Sequence, residues 1–367
     1  MKSLKNATTF RCMTVILSAV LVVATMSGCA LQSLLPSFGT QNDPSQTVIP
    51  DVPDMNSPPE GGGEEAPPAL PTYYDPLTGL GSDVDLSALR PVAFCVGADE
   101  GGGFGLSAAK ILIEAPTENG TSRLVGITNT YASLPAIGDI QTTRPYLLTL
   151  TSLFSAVSVH AGVGEGGALT AENAIDYKNP AMGTVFYRNP EFTDPTALFT
   201  SGTRLVGAME SFEKRGASLP YLLGAYGEMR AIGSIGAKSV ILPFSGSTVT
   251  QFTYDSASGE YLRRQNSSPH IDGASGEQLS FTNLIFLICE SSIYNKVSGT
   301  ELDLDLQNGG EGYYVSGGKA ARITWSRKAD GSLLLCDEKG AEILCNRGKT
   351  YISLVDITDA PALMIVN

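Results

Sequence analysis

The stretch Ser155-Ala-Val-Ser-Val-His-Ala-Gly-Val-Gly-Glu-Gly-Gly-Ala168 joins a short apolar strand to a glycine-rich loop. Gly162, Gly164 and Gly167 have the spacing G-x-G-x-x-G, and residues Ala168 to Tyr177 are compatible with a helix. A strand, a glycine turn and a helix in this order form a βα unit. The stretch therefore predicts a mixed α/β structure in this part of the chain.

The glycine loop does not predict a nucleotide site. A dinucleotide fingerprint is followed by an acidic residue about 20 positions on, at the end of the next strand. Here the next strand candidate, residues 183–187, ends in Arg188-Asn189. We therefore interpret the loop as a tight turn beside a cleft and expect no bound nucleotide.

The N-terminus predicts export and lipid anchoring. Positive residues precede the apolar run Met13–Thr25, which has the length of a secretory signal and is short for a membrane span. The run ends in Met26-Ser-Gly-Cys29, which resembles the lipobox of bacterial lipoproteins. We expect residues 1–28 to be a signal peptide and Cys29 to carry acyl chains (palmitate) on the extracytoplasmic face of the cell membrane. An ordinary cleaved signal with a chance cysteine is the alternative.

Residues 29–71 are predicted to be a disordered tether. Nine of the 21 prolines lie between residues 30 and 71, and such a segment buries too little apolar surface to offset its ordering entropy. The formal net charge of −13 argues against nucleic acid as a partner. The expected partners are the membrane, through the lipid, and an unidentified ligand or protein of the cell envelope.

The remaining residues predict two domains. Strand candidates in the first are Val92–Gly97, Ile111–Ala115, Arg123–Thr128, Ala156–His160 and Thr184–Tyr187. Helix candidates are Pro145–Phe154, Ala168–Tyr177 and Thr203–Arg215. From Ser239 onward, short strand candidates alternate with glycine turns. The expected fold class is α+β, with a mixed α/β domain at 72–236 and a β-rich antiparallel domain at 237–367.

Four cysteines lie beyond the tether. Cys95 and Cys289 stand in apolar runs and are expected to be buried. Cys336 and Cys345 flank a turn, and a loop at Lys339–Glu342 would place them directly opposite each other, which leaves a disulfide and two free thiols both open. The chain has two histidines and lacks a C-x-x-C pair, so we expect no metal site and no cofactor.

Charged side chains interrupt the apolar strands of the first domain. Glu114, Arg123, Arg144 and His160 stand in strands or at their ends. Because a buried charge needs a partner, Glu114 is expected to contact Arg123 and Arg144. Two interpretations stay open: a buried network that fixes strand order, or a cleft for a ligand or a reaction.

Several motifs together resemble the YerB-like lipoprotein family. They are Pro76–Gly79, Arg90–Ala93, Leu106–Pro116, Gly120–Leu124, Thr143–Tyr146, Val159–Gly162, Phe186–Arg188, Pro269–Asp272, Asn308–Tyr313 and Gly348–Ile352. The resemblance implies an α/β domain followed by a β-rich domain, without an established activity. It implies a candidate cleft formed by Glu114, Arg123, Arg144, His160 and Arg188. It also implies second-domain candidates at His270 and Asp272.

Two departures from the family pattern remove charged residues from this cleft. Residues 193–197 replace a Lys-Ala-Pro-His-Asn run, and residues 138–144 replace Gly-Pro-Val-Arg-Ser-Ala-Arg. The losses favour a binding or interaction module over an enzyme. The alternative is a cell-envelope hydrolase or transferase that uses Glu114 or His160 as acid–base and Arg144 to hold an anionic group, although the chain has no Gly-x-Ser-x-Gly motif.

Overall fold

Strands dominate the structure, a computed structural model. It describes residues 70–98, 103–164, 173–189, 192, 194, 196–212, 232–244, 248–293 and 301–367. Strands make up 44% and helices 13% of the described residues, so the predicted α+β class with a mixed α/β domain is wrong. Cys29, the predicted signal peptide, most of the tether, and residues 165–172, which end the glycine stretch and begin the predicted helix at 168–177, lie outside the described residues.

Residues 70–212, called the first half, contain ten strands and two α-helices in their described part. The strands are β1 (Tyr73–Tyr74), β2 (Gly81–Ser82), β3 (Val92–Gly97), β4 (Ile111–Pro116), β5 (Ser122–Thr128), β6 (Ile137–Gly138), β7 (Val157–His160), β8 (Ala174–Asp176), β9 (Tyr187–Arg188) and β10 (Leu198–Thr200). The α-helices are α1 (Pro145–Ser152) and α2 (Gly202–Met209). Short 3-10 helices lie at Leu106–Ala108, Glu118–Gly120, Tyr131–Ser133 and Pro180–Val185.

Residues 232–367, called the second half, contain only strands and one 3-10 helix in their described part. The strands are β11 (Ile235–Gly236), β12 (Ser239–Pro243), β13 (Val249–Asp255), β14 (Glu260–Gln265), β15 (Ser268–Pro269), β16 (Ser280–Phe281), β17 (Asn283–Cys289), β18 (Ser291–Ile293), β19 (Leu302–Leu304), β20 (Gly310–Ser316), β21 (Lys319–Arg327), β22 (Leu333–Cys336), β23 (Thr350–Asp356) and β24 (Met364–Val366). The 3-10 helix lies at Ala360–Ala362.

One sheet runs through both halves. Its strand order is β11-β21-β20-β17-β23-β4-β5-β3-β7-β8, with β22 paired to β21. The two halves meet where β23 pairs in parallel with β4, which places Ile352 beside Ile113 and Ser353 beside Glu114. Pro67–Asn367 forms one compact unit.

Both faces of this sheet are covered, which explains why its central strands are continuous apolar runs. Leu112 of β4 points to a core shared with Phe252 and Tyr261 of a second sheet, whose order is β15-β14-β13-β12-β24. The next residue, Ile113, points to the opposite core, which α1 covers with Leu147. Glu114 therefore faces the second sheet, on the same side of β4 as Leu112.

Of the three predicted helices, Pro145–Phe154 and Thr203–Arg215 correspond to α1 and α2, and the third is wrong. The predicted helix at 168–177 contains strand β8 instead, which pairs in parallel with β7. The predicted strand Thr184–Tyr187 is a strand only at Tyr187, while Thr184 and Val185 end a 3-10 helix that begins at Pro180 and is capped by the Asn179 side chain, which accepts the Ala181 backbone N–H. In contrast, β3, β4, β5 and β7 lie within one residue of their predicted bounds.

Candidate functional site

Glu114 forms a buried ion pair with an arginine of the other half. Arg263 Nη2 lies 2.8 Å from Glu114 Oε2, and both side chains are 0% exposed. The prediction that Arg123 and Arg144 neutralise Glu114 is therefore wrong. Arg263 reaches it because β14 alternates inward and outward residues, and Arg263 points inward with Tyr261 and Gln265.

Three hydroxyl groups complete the surroundings of the Glu114 carboxylate. Ser122 Oγ donates to Oε1 at 2.8 Å, and Thr250 Oγ1 lies 3.0 Å from Oε2. Tyr351 Oη donates to Oε2 at 2.8 Å. Burial, reinforced by the Glu114 charge, raises the pKa of Tyr351 well above its usual value, so the phenol keeps its proton and donates. These residues (Glu114, Ser122, Thr250, Arg263 and Tyr351) are called the joint, since they connect β4, β5 and β23 to the second sheet.

The second-domain candidates extend this network. His270 is buried, and its Nδ1 contacts Arg263 Nη1. Asp272 is fully buried, and its carboxylate accepts the backbone N–H groups of Gly105 at 2.9 Å and Ser107 at 2.7 Å. Asp272 therefore holds the 103–107 turn of the first half in place. Both predicted residues bind parts of the protein itself.

Arg144 pairs with an acid that the sequence did not single out. Its Nη2 lies 2.5 Å from Glu118 Oε2, and Glu118 Oε1 also accepts the backbone N–H of Leu302 in β19 at 2.9 Å. Burial alone would raise the pKa of Glu118, but the bonds from Arg144 and Leu302 outweigh it and hold that pKa below its usual range. Arg144 therefore binds the acid that connects the first half to β19 of the second half.

Arg123 lies apart from this pair. It is half-buried, and its guanidinium donates to the backbone oxygens of Thr142 and Ser122, each at 3.3 Å. These are contacts with the neighbouring chain segment, so Arg123 shares no bond with Glu114.

His160 is enclosed at the end of β7. The side chain is 0% exposed, and Nδ1 lies 3.6 Å from Asp176 Oδ1. The Gly162 backbone is also near the ring, but within the described ranges neither ring nitrogen makes a hydrogen bond of normal geometry. Burial lowers the pKa of His160 below its usual range, against the attraction of the Asp176 carboxylate. The glycine loop after it begins with Gly162 at φ +96, in the left-handed region.

Arg188 is the one exposed member of the predicted cleft. Its guanidinium lies 5.8 Å from the ring centre of Tyr177. Glu114, Arg144 with Glu118, and His160 with Asp176 each have separate surroundings. The structure therefore does not bring the five predicted residues together in one cleft. It agrees with the interpretation of Glu114 as part of a buried network, although with a different arginine.

Cys336 and Cys345 do not oppose each other. Cys336 lies directly opposite Glu342, in an isolated antiparallel backbone pairing. Both cysteines are free thiols. The turn consists of residues 337–341. The Asp337 carboxylate stabilises it by accepting the backbone N–H groups of Lys339 and Ala341, both at 2.9 Å. The predicted register, with its loop at Lys339–Glu342, is therefore wrong.

An aromatic surface with two arginines was missed at the level of sequence. Arg204 lies over Tyr187 at 5.1 Å, and Arg188, the next residue of β9, lies over Tyr177 at 5.8 Å. Tyr187 and Phe199 are 6.0 Å apart between ring centres, and both belong to the small sheet β6-β10-β9. We call the two stacked pairs, Arg188 with Tyr177 and Arg204 with Tyr187, together the Tyr/Arg surface. The only signal in the sequence is the pair Tyr187-Arg188, which does not reveal its partners.

Comparisons with known proteins agree with this architecture. The models described as protein of unknown function (DUF3048), N-terminal and C-terminal domains, match residues 77–216 and 240–352. A Bacillus subtilis (strain 168) protein named "Putative lipoprotein YerB" is 26% identical over 296 residues, which covers 78% of this chain and 88% of that protein. A crystal structure of the YerB protein from Bacillus subtilis has the same fold, with a TM-score of 0.69 at 23% identity over 80% of this chain and 99% of that one. The two halves thus correspond to the paired domains of one family, and the chain belongs to the DUF3048 family, which is that of YerB.

Proposed function

We propose that this protein is a lipid-anchored binding module on the extracytoplasmic face of the cell membrane. Cys29 would carry the lipid, residues 29–71 would hold the folded part away from the bilayer, and that part would bind an envelope protein. The lipobox-like sequence before Cys29 supports the anchor, and so does the name of the Bacillus subtilis relative. Among the described residues, no helix is long and apolar enough to span a membrane.

The observation that carries the binding role is the Tyr/Arg surface. Arginine and tyrosine are enriched among the residues that contribute most to protein interfaces. Arg188 and Arg204 are exposed, while the tyrosines beneath them are half-buried, so the rings are held in place before a partner arrives. Arg204 already donates to the backbone oxygen of Thr184, and its remaining planar donors would bind an acceptor on the partner.

The alternative, a hydrolase or transferase, needs an acid–base group that can reach a substrate. Glu114 and His160 are both 0% exposed, and Glu114 already accepts bonds from four side chains of the joint. This burial counts against both residues as general acids or bases. Neither residue lies on the Tyr/Arg surface.

A capture experiment with matched variants tests the binding role. The detergent-solubilised full chain is tagged and crosslinked in envelope extract, with wild type compared with an Arg188→Ala/Arg204→Ala double variant. Arg347→Ala is the control, since Arg347 lies over Tyr74 at 4.8 Å and is an equally stacked arginine elsewhere on the protein. We expect a partner that the double variant loses and the control retains. A partner captured equally by all three would contradict the assigned surface.

A further inference from the structure

A cavity of about 270 Å³ lies on the sheet that runs through both halves, beside strands β17, β20 and β21. Its residues are more than 80 positions away in sequence from those of the Tyr/Arg surface. Its lining includes Ile288, Glu311, Tyr313, Arg322, Thr324 and Glu338. Glu311 is directly opposite Thr324, and Tyr313 is directly opposite Arg322, in the antiparallel pair β20–β21. Directly opposed residues point to the same face of a sheet, so these four side chains surround one depression.

Three charged side chains around this cavity have no partner within the described part of the chain. No ion pair or side-chain hydrogen bond joins Glu311, Arg322 or Glu338 to another described residue. The exposed Lys328, in contrast, pairs with Glu342 at 2.8 Å. The cavity thus presents two carboxylates and one guanidinium that are free to bind a ligand.

We propose that this cavity binds a small ligand that carries an ammonium group and a carboxylate, as an amino acid or a short peptide does. Glu311 and Glu338 would accept hydrogen bonds from the ammonium group. Arg322 would bind the carboxylate with two parallel N–H···O bonds, the geometry that guanidinium groups favour. Tyr313 and Ile288 would contact the apolar part of the ligand. The volume lies just below the usual range for ligand pockets, which suits a molecule no larger than a dipeptide.

Three forms of one dipeptide separate the contributions of the two charged ends. Isothermal titration calorimetry on the full chain in detergent compares dialanine, N-acetyl-dialanine and dialanine amide. We expect dialanine to bind and each blocked form to bind about tenfold more weakly, because one charge-assisted bond is lost. Absence of heat with dialanine at millimolar concentration, or equal affinity for all three forms, would overturn the proposal.

Variants then locate the site. Arg322→Gln and Glu338→Gln are each expected to weaken dialanine binding about tenfold. Glu342→Gln removes a nearby exposed carboxylate that lies outside the cavity and is expected to leave binding unchanged. If dialanine binds with the same affinity to all three variants, the site lies elsewhere. The inference rests on the proposed binding role, but loss of dialanine binding leaves partner capture by the Tyr/Arg surface intact, so the two failures are distinguishable.

Discussion

At the scale of single residues, sequence reasoning identified Glu114 as a buried acid but not its partner. An acid between Ile113 and Ala115 in an apolar strand must find a cation, and that requirement is readable from the sequence. The cation, Arg263, is 149 residues away and lies on another sheet. The alternation of Tyr261, Arg263 and Gln265 in β14 indicates that Arg263 points inward. The alternation does not indicate which residue Arg263 contacts there.

Replacing Glu114 by Ala should lower the free energy of unfolding by about 3 kcal/mol, because Arg263 is then left buried without a counter-charge. Chemical denaturation of the full chain in detergent measures this. Glu342→Gln is the control, since it removes an exposed pair worth roughly 0–1 kcal/mol. An effect of Glu114→Ala no larger than that of the control would mean that the carboxylate is not buried in an ion pair.

His160 should make the fold sensitive to acid. Burial places its folded pKa below the unfolded value of about 6.5, so the folded chain binds fewer protons between the two values. The contribution of His160 to the free energy of unfolding is therefore fully present above about pH 6.5. It falls as the pH drops from there towards the folded pKa. Melting temperatures between pH 5 and 8 should show this loss in wild type and a smaller one in His160→Gln. Identical pH profiles would show that the His160 pKa is not lowered.

At the scale of elements, the apolar strands were predictable and their connections were not. A run such as Val92–Gly97 is buried on both faces, and its composition predicts a strand without knowledge of its neighbours. The segment at 174–176 is different, because pairing with β7 decides its conformation. Asp337 likewise sets the register at Cys336 through two bonds to its own turn, which the spacing of the cysteines did not reveal.

The register of this hairpin predicts free thiols. Cys336 lies opposite Glu342, and Cys345 is buried, which raises its pKa to about 12 and keeps it protonated. Thiol counting on the unfolded, unreduced Cys29→Ser chain without its signal peptide should find Cys95, Cys289, Cys336 and Cys345 all free. Two missing thiols would indicate the disulfide and a different register.

At the scale of the whole molecule, lipid attachment at Cys29 is the prediction that rests on sequence alone. Substitution of Cys29 by Ser should abolish labelling by a fatty-acid analogue, because the acylated thiol is absent. It should also move the protein out of the fraction of lipid-modified membrane proteins. A substitution at Cys12 is the control, as it lies before the predicted cleavage site. Label that persists in Cys29→Ser would contradict the assigned lipidation site.

Two of the polar residues that suggested a cleft take part in contacts between the two halves: Glu114 binds Arg263, and Arg144 binds Glu118, which accepts the Leu302 N–H. The sequence predicted two domains because its patterns change near residue 236. No local pattern predicts that β4 and β23, about 240 residues apart, pair in one sheet. The parallel pairing and the Glu114–Arg263 ion pair both cross this boundary. Of the residues that the resemblance singled out, Glu114 and Asp272 make contacts across this boundary, and His270 contacts Arg263 beside it.

Differential scanning calorimetry of the full chain in detergent tests this claim most directly. Two halves that share a sheet and a buried ion pair should unfold together, in one transition whose calorimetric and van't Hoff enthalpies agree. In Glu114→Gln the transition should remain single and move to lower temperature. Two separate transitions in wild type, with only the first-half transition shifted by Glu114→Gln, would contradict the account.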